Sequence, residues 1–166
     1  MTAPGRRIGE LARTAIELLI AGDETVATAE SLTGGLVAAA LTSVPGSSAA
    51  VRGGVVAYAT ELKAAILGVP ADLLERQGAV HAAVAEAMAE GARDRLGATT
   101  GVATTGVAGP DPAEGKPVGM VFVAVAGPGG LATRQLALTG GREEIRAAAV
   151  ESVLSLLIGA LQEHVV

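Results

Sequence analysis

Apolar positions recur at helical spacing from Ile8 to Ala21: Ile8, Leu11, Ala15, Leu18 and Leu19 share one side, with Glu10, Arg13 and Glu17 on the others. Gly22 stops this helix. A short apolar run, Thr25 to Ala29, predicts a strand, followed by a helix of small residues from Gly34 to Leu41. Ser43 to Ser48, with Pro45-Gly46 inside, reads as a loop, and Gly54 to Tyr58 as a second strand. Short helices are expected at Glu61–Leu67 and Ala71–Gln77, parted by Gly68 and Pro70, and a longer one at Ala82–Leu96, where Val84, Met88, Ala92 and Leu96 share a face. Thr99 to Thr105 predicts a third strand that runs into a glycine-rich loop reaching Pro117. Val118–Ala126 and Leu131–Leu138 are strands joined by Gly127-Pro128-Gly129-Gly130, a spacing that makes them an antiparallel hairpin. A closing helix runs from Gly141 to about Glu163, with Glu143 and Glu144 in its first turn, where the helix dipole favours carboxylates.

Strands separated by helices, then one hairpin, then a helix, predict a three-layer α/β/α domain with a mixed, mostly parallel sheet. The 166 residues read as a single domain with its core between about 8 and 163, and no internal repeat or linker interrupts them. Half the residues are hydrophobic, yet there is one Tyr, one Phe and no Trp, so Ala, Val, Leu and Ile must build the core. That leaves no aromatic platform for single-stranded nucleic acid, and a net charge of −5 speaks against a phosphate-backbone binder. Without cysteine there is no disulfide, zinc thiolate or thiol nucleophile, and His81 and His164 belong to no metal-ligand spacing. The N-terminus lacks the apolar segment of a signal peptide. The uncharged stretch after Ser31 is broken by Pro45 and several glycines, so it reads as helix and loop, not a membrane span. The expectation is a cytoplasmic protein with no metal, no cofactor, no nucleic-acid partner and no membrane partner; assembly into a homo-oligomer is left open.

Three segments place reactive or flexible residues where a plain core would not. Glu30-Ser31-Leu32-Thr33-Gly34-Gly35 sits between a strand and a helix, where an open α/β sheet gathers ligands and where helix N-termini offer amides to anions. Two hydroxyls and two glycines there suit a phosphate or a developing oxyanion; they equally suit a helix cap by Ser31 or Thr33. Tyr58-Ala59-Thr60-Glu61-Leu62-Lys63 holds the only tyrosine and one of two lysines, in a chain with ten arginines. A lysine retained among arginines hints at a base, since guanidinium stays protonated; the plain alternative is a surface lysine and a half-buried strand tyrosine. Thr104-Thr105-Gly106-Val107-Ala108-Gly109-Pro110 leaves a strand with glycines that let backbone amides converge, and matches neither a Walker phosphate loop nor a dinucleotide fingerprint. Ser31 with Lys63 would form a pair in which a deprotonated lysine activates the hydroxyl, with Tyr58 relaying a proton or placing the substrate.

The runs A-E-S-L-T-G-G at 29–35, G-S-S-A at 46–49, R-G-G-V-V-A-Y-A-T-E-L-K at 52–63, L-G-V at 67–69, G-A-V at 78–80, T-G-V-A-G-P at 105–110 and K-P-V-G at 116–119 together resemble the CinA C-terminal domain family. The likeness runs in order from about Ile8 to Leu157. The family includes nicotinamide-nucleotide amidohydrolases, so the resemblance implies hydrolysis of the carboxamide of nicotinamide mononucleotide to nicotinic acid mononucleotide and ammonia, without a metal. Carried over by position, it makes Ser31 the nucleophile, with Lys63 and Tyr58 as supporting catalytic residues. It also makes Thr33, Gly34, Gly35, Thr105 and Gly106 the loops that hold the substrate. Arg142 then becomes a candidate phosphate ligand and Arg146 a weaker one. Leu32 and Gly141 stand where the family more often has Cys and Asp, and neither exchange removes a catalytic group. His81 stands where Ser is common and reads as a helix cap or surface residue. The resemblance also implies that an N-terminal pyrophosphatase-like module of many members is absent from this chain. Two alternatives stay open: Ser31 and Thr33 gripping the substrate phosphate, and a nucleotide-binding or regulatory module of the competence/damage-inducible family without turnover.

Overall fold

The computed structural model describes residues 3–164. The elements follow in the order α1 (Ala3–Ala21), β1 (Val26–Glu30), α2 (Leu36–Thr42), β2 (Val51–Val56), α3 (Thr60–Leu67), α4 (Ala71–Gln77), α5 (Ala82–Leu96), β3 (Thr100–Gly106), β4 (Met120–Gly127), β5 (Gly130–Ala137) and α6 (Arg142–His164). The sheet order is β2-β1-β3-β4-β5. β1 is parallel to β2 and β3, while β4 is antiparallel to β3 and to β5. Four strands therefore run one way and β4 alone opposes them, which is the mixed, mostly parallel sheet the helix–strand alternation predicts.

Two apolar layers enclose the sheet. On one face α1, α2 and α6 bury Ile16, Leu19, Val37, Leu154 and Leu157 against Val26, Val102 and Val123. On the other, α3, α4 and α5 bury Leu67, Leu74, Val84 and Met88 against Ala27, Ala103 and Ala124. All five residues of β1 are buried, as a central parallel strand requires, whereas β2 at the edge alternates between half-buried and exposed. A core built almost wholly of aliphatic side chains, with Phe122 its one aromatic among the described residues, has to bring backbones close together. A Cβ at Gly101 would fall 1.9 Å from the Ala89 carbonyl oxygen, and one at Gly91 would fall 2.0 Å from that of Leu67, so α5 lies directly against β3 and the end of α3.

Several predicted boundaries move: α1 begins at Ala3 instead of Ile8 and β4 at Met120 instead of Val118, and two further shifts bear on the site. The small-residue helix begins at Leu36 instead of Gly34, because Gly34 (φ 58°) and Gly35 (φ 103°) occupy left-handed conformations that cannot continue a right-handed helix. The second strand occupies Val51–Val56 instead of Gly54–Tyr58. The run Val55-Val56-Ala57-Tyr58 is apolar throughout, but the chain must turn after Ala57 to begin α3 at Thr60, so Tyr58 lies beyond the strand. The hairpin is present with full register from Met120↔Ala137 to Gly127↔Gly130. His81 caps α5, its Nδ1 accepting from the Ala83 amide at 3.1 Å. Among the described residues no helix is long and apolar enough to cross a membrane.

Candidate active site

Parallel strands end their ladders together, so the carboxyl ends of β1, β2 and β3 converge, with Glu30 paired to Val56 on one side and Thr104 on the other. Buried polar residues gather at this end: Glu30, Ser31, Thr33, Lys63, Thr104 and Thr105. A cleft of about 220 Å³ opens beside them, lined by Ser31, Tyr58, Lys63, Thr105, Glu114 and Arg142 among others.

Ser31 follows β1 directly, and its amide donates to the Thr104 carbonyl at 3.1 Å, which fixes the turn to β3. Lys63 comes from the first turns of α3 and points inward, only 1% exposed. Its Nζ is 3.1 Å from Ser31 Oγ, 2.7 Å from the Ala57 carbonyl oxygen and 3.3 Å from that of Tyr58. Burial pushes the pKa of Lys63 below the ordinary lysine value, because a desolvated ammonium is penalised, and the carboxylates of Glu114 and then Glu61 pull it part of the way back. Carbonyl oxygens supply partial negative charge, but no carboxylate forms an ion pair with Lys63 among the described residues. This is an environment in which a lysine gives up its proton more readily than in water.

Tyr58 is 60% exposed, and its hydroxyl accepts from Arg142 Nη2 at 3.1 Å, while Arg142 Nη1 donates to the Gly109 carbonyl at 2.7 Å. Three elements thus meet across the cleft: the loop after β2, the start of α6 and the loop after β3. Thr105 lines the cleft, yet its hydroxyl donates to the Ala79 carbonyl at 2.7 Å and tethers β3 to the α4–α5 link. Gly106 allows β4 to approach, since a Cβ there would lie 2.7 Å from the Met120 carbonyl oxygen.

The other predicted binding residues take a different place. Thr33 is fully buried, its hydroxyl 2.6 Å from Glu30 Oε2 and 2.7 Å from Thr104 Oγ1. Gly34 and Gly35 form the left-handed turn behind Ser31, with Gly34 under the Arg146 guanidinium. None of the three lines the cleft; they shape the turn that carries Ser31. Arg146 reaches the same turn, its Nε donating to the Leu32 carbonyl at 2.9 Å and its Nη2 to that of Thr33 at 3.4 Å.

The sequence reading assigned no role to Glu30. It is 1% exposed and caps α2 in place of Ser31 or Thr33. Oε2 accepts from the amides of Gly35 (3.1 Å) and Val37 (3.0 Å), and Oε1 from that of Ala38 (2.8 Å). A charged residue closing a fully buried strand just before a helix was the signal that could have found it. Glu114 was missed as well: its Oε2 accepts from the Ala79 amide at 2.9 Å and holds the β3–β4 loop against the α4–α5 link. Lys116 reinforces that seam by donating to the carbonyls of Gln77 and Val80. No group of three His, Asp or Glu residues able to hold a metal occurs among the described residues.

The family model described as the CinA C-terminal domain matches residues 9–161. This chain belongs to that family. Among its relatives, a CinA-like protein of Frankia casuarinae is 57% identical over 140 residues, covering 84% of this chain and 32% of the relative. A CinA-like protein of Mycobacterium marinum is 52% identical over 143 residues, covering 85% and 34%. The chain thus spans about a third of the length of the curated relatives it matches. Among solved structures, the competence/damage inducible protein CihA of Agrobacterium tumefaciens superposes with a TM-score of 0.89 at 42% identity, covering 93% of this chain and 95% of that one. A CinA superfamily protein of Klebsiella pneumoniae gives 0.91 at 34% identity, covering 94% and 98%. The CinA fold of these neighbours is the fold described above.

Proposed function

We propose that this CinA-family domain is an amidohydrolase that converts nicotinamide mononucleotide to nicotinic acid mononucleotide and ammonia. The observation that carries the chemistry is the buried Lys63 Nζ, 3.1 Å from Ser31 Oγ, at the edge of an open cleft. The substrate comes from the resemblance of the motifs to those of the nicotinamide-nucleotide amidohydrolases. The competence and damage induction named among the structural neighbours belong to those proteins.

A neutral amine has two hydrogens and one lone pair. The carbonyls of Ala57 and Tyr58 can take the hydrogens of Lys63, which leaves the lone pair facing Ser31 Oγ. Lys63 then accepts the hydroxyl proton as Ser31 Oγ bonds to the carboxamide carbon, and the carbonyl electrons move onto oxygen. When the tetrahedral species collapses, the C–N bond breaks and ammonia leaves with the proton held by Lys63. Water adds to the resulting ester with Lys63 again taking a proton, and that proton returns to Ser31 Oγ as the acid departs. Arg142, at the cleft mouth beside Tyr58, is the cation placed to meet the substrate phosphate.

The alternative in which Ser31 and Thr33 grip the phosphate finds less support. The α2 amides of Gly35, Val37 and Ala38 and the Thr33 hydroxyl already serve the Glu30 carboxylate, whose charge would repel a phosphate. Ammonia release by wild type and Ser31→Ala, with mass spectrometry of quenched turnover mixtures, tests the proposal. A fall of at least about 10³-fold in the variant and an acyl adduct on Ser31 are expected. Retained activity in Ser31→Ala removes Ser31 as nucleophile, and mononucleotide binding without ammonia release by the wild type points to a non-catalytic module.

A further inference from the structure

We propose that Glu30 and Arg146 are positioning residues that grip the Ser31–Gly35 turn from opposite sides and leave the amide of Leu32 free for the oxyanion. This rests on the reading that Ser31 attacks the carboxamide, and it adds how the negative charge formed on the substrate oxygen would be met.

The backbone of the turn can be followed group by group. The Ser31 amide donates to Thr104, Gly34 to Ser31, and Leu36 to Thr33. Those of Gly35, Val37 and Ala38 are taken by the Glu30 carboxylate. From Ser31 to Ala38, only the amides of Leu32 and Thr33 have no acceptor among the described residues. Leu32 directly follows the candidate nucleophile and lines the cleft, whereas Thr33 is fully buried behind it. A donor from the residue after a nucleophile is a recurring source of oxyanion stabilisation in unrelated hydrolases.

The acceptor side of the turn is served by Arg146. Its guanidinium binds the carbonyls of Leu32 and Thr33, the two that follow the Leu32 amide along the turn. Holding both carbonyls fixes the backbone on the far side of Leu32 and with it the direction of the Leu32 N–H. Neither Glu30 nor Arg146 has an ion-pair partner among the described residues, so each spends its charge on this turn. A hydroxyl would be enough to cap a two-turn helix. A buried carboxylate with four donors fixes more, because no other arrangement of the turn can satisfy it. Glu30 also reaches the base: its carbonyl accepts from the Ala57 amide at 2.9 Å, and the Ala57 carbonyl accepts from Lys63.

The test pairs steady-state deamidation of nicotinamide mononucleotide with the rate at which a fluorophosphonate probe labels Ser31, forming a phosphonate ester with loss of fluoride. For Arg146→Ala and Glu30→Gln, labelling rate and kcat are expected to fall together by about 10- to 100-fold with KM changed less than about threefold, and Arg146→Lys to recover part of the loss. A labelling rate equal to wild type in Arg146→Ala overturns the proposal, as does a raised KM with kcat intact, which would make Arg146 a phosphate ligand. Should Glu30→Gln fail to fold, the two Arg146 variants decide. A wild type that labels at Ser31 but releases no ammonia removes the substrate reading alone, and the labelling rates still judge the positioning role. A wild type that resists labelling overturns it.

Discussion

The two ends of the sheet carry hollows of opposite character. At the end where β1 and β3 begin, a space of about 360 Å³ lies among Glu24, Thr100, the Gly127–Gly130 turn and the end of α6. At the other end the cleft is smaller, about 220 Å³, yet it borders a buried lysine, a buried serine and a buried threonine. The larger hollow follows from a tight hairpin turn and a helix end that do not fill the corner, and of its polar side chains only Thr100 is buried. The smaller one is bounded by groups that each cost folding free energy to bury. Of these two, volume would favour the first and the concentration of buried polar chemistry favours the second.

The largest expected effect breaks this contrast at Lys63. Lys63→Met should lower ammonia release at least about 10³-fold, whereas Glu24→Gln at the far end should stay within about twofold of wild type. The same variant carries a stability signature with a definite sign. In the folded chain the Lys63 pKa lies below the 10.5 of an ordinary lysine. Between the two values the unfolded chain therefore binds more protons, and folding stability gains as pH rises. Denaturant unfolding at increasing pH, up to about 10.5, should thus show wild type gaining on Lys63→Met; a constant difference would mean that Lys63 titrates as if exposed.

A finer expectation concerns Glu114, whose charge raises the pKa of Lys63 while burial lowers it more strongly. Glu114→Gln removes that upward pull and retains an oxygen for the Ala79 amide. The acidic limb of the kcat/KM profile should move to lower pH, because Lys63 loses its proton more readily. Movement to higher pH would contradict the assignment of Lys63 as the base.

The smallest effect lies midway between the two ends. Thr28, in the centre of β1, has a buried hydroxyl with no hydrogen-bond partner among the described residues. It faces Gly54 on β2, where a Cβ would fall 2.1 Å from Thr28 Oγ1. Thr28→Val removes the stranded hydroxyl and should stabilise the fold by about 1 kcal/mol, raising Tm by roughly 2–4 °C, with deamidation unchanged. A loss of stability would show that the hydroxyl is served in solution.

Local pattern was sufficient for most of the architecture. The helical spacing in Ala82–Leu96 and the Gly127–Gly130 hairpin turn are short-range signals, and both elements stand where the pattern places them. Pattern failed at Gly34–Gly35 and at Tyr58, where left-handed backbone and the need to begin α3 outweigh local apolarity. Lys63 and Tyr58 were legible as chemistry because lysine and tyrosine are scarce in this chain, and Ser31 because it stands between a strand and a helix. The role of Glu30 was not, since a glutamate's sequence neighbours do not reveal that four donors will surround it.

The sequence by itself determined the order of strands and helices, the absence of cysteine chemistry and membership of the CinA C-terminal domain family, because periodicity and motif order survive without coordinates. Tertiary structure alone decided that Lys63 meets Ser31 across 32 residues and that Arg146 meets Leu32 across 114. It also turned Thr33 inward, while Arg142 came to face the cleft. Parallel pairing of β1 with β2 and β3 brings these distant segments to one edge of the sheet, and burial there changes what a lysine or a carboxylate can do.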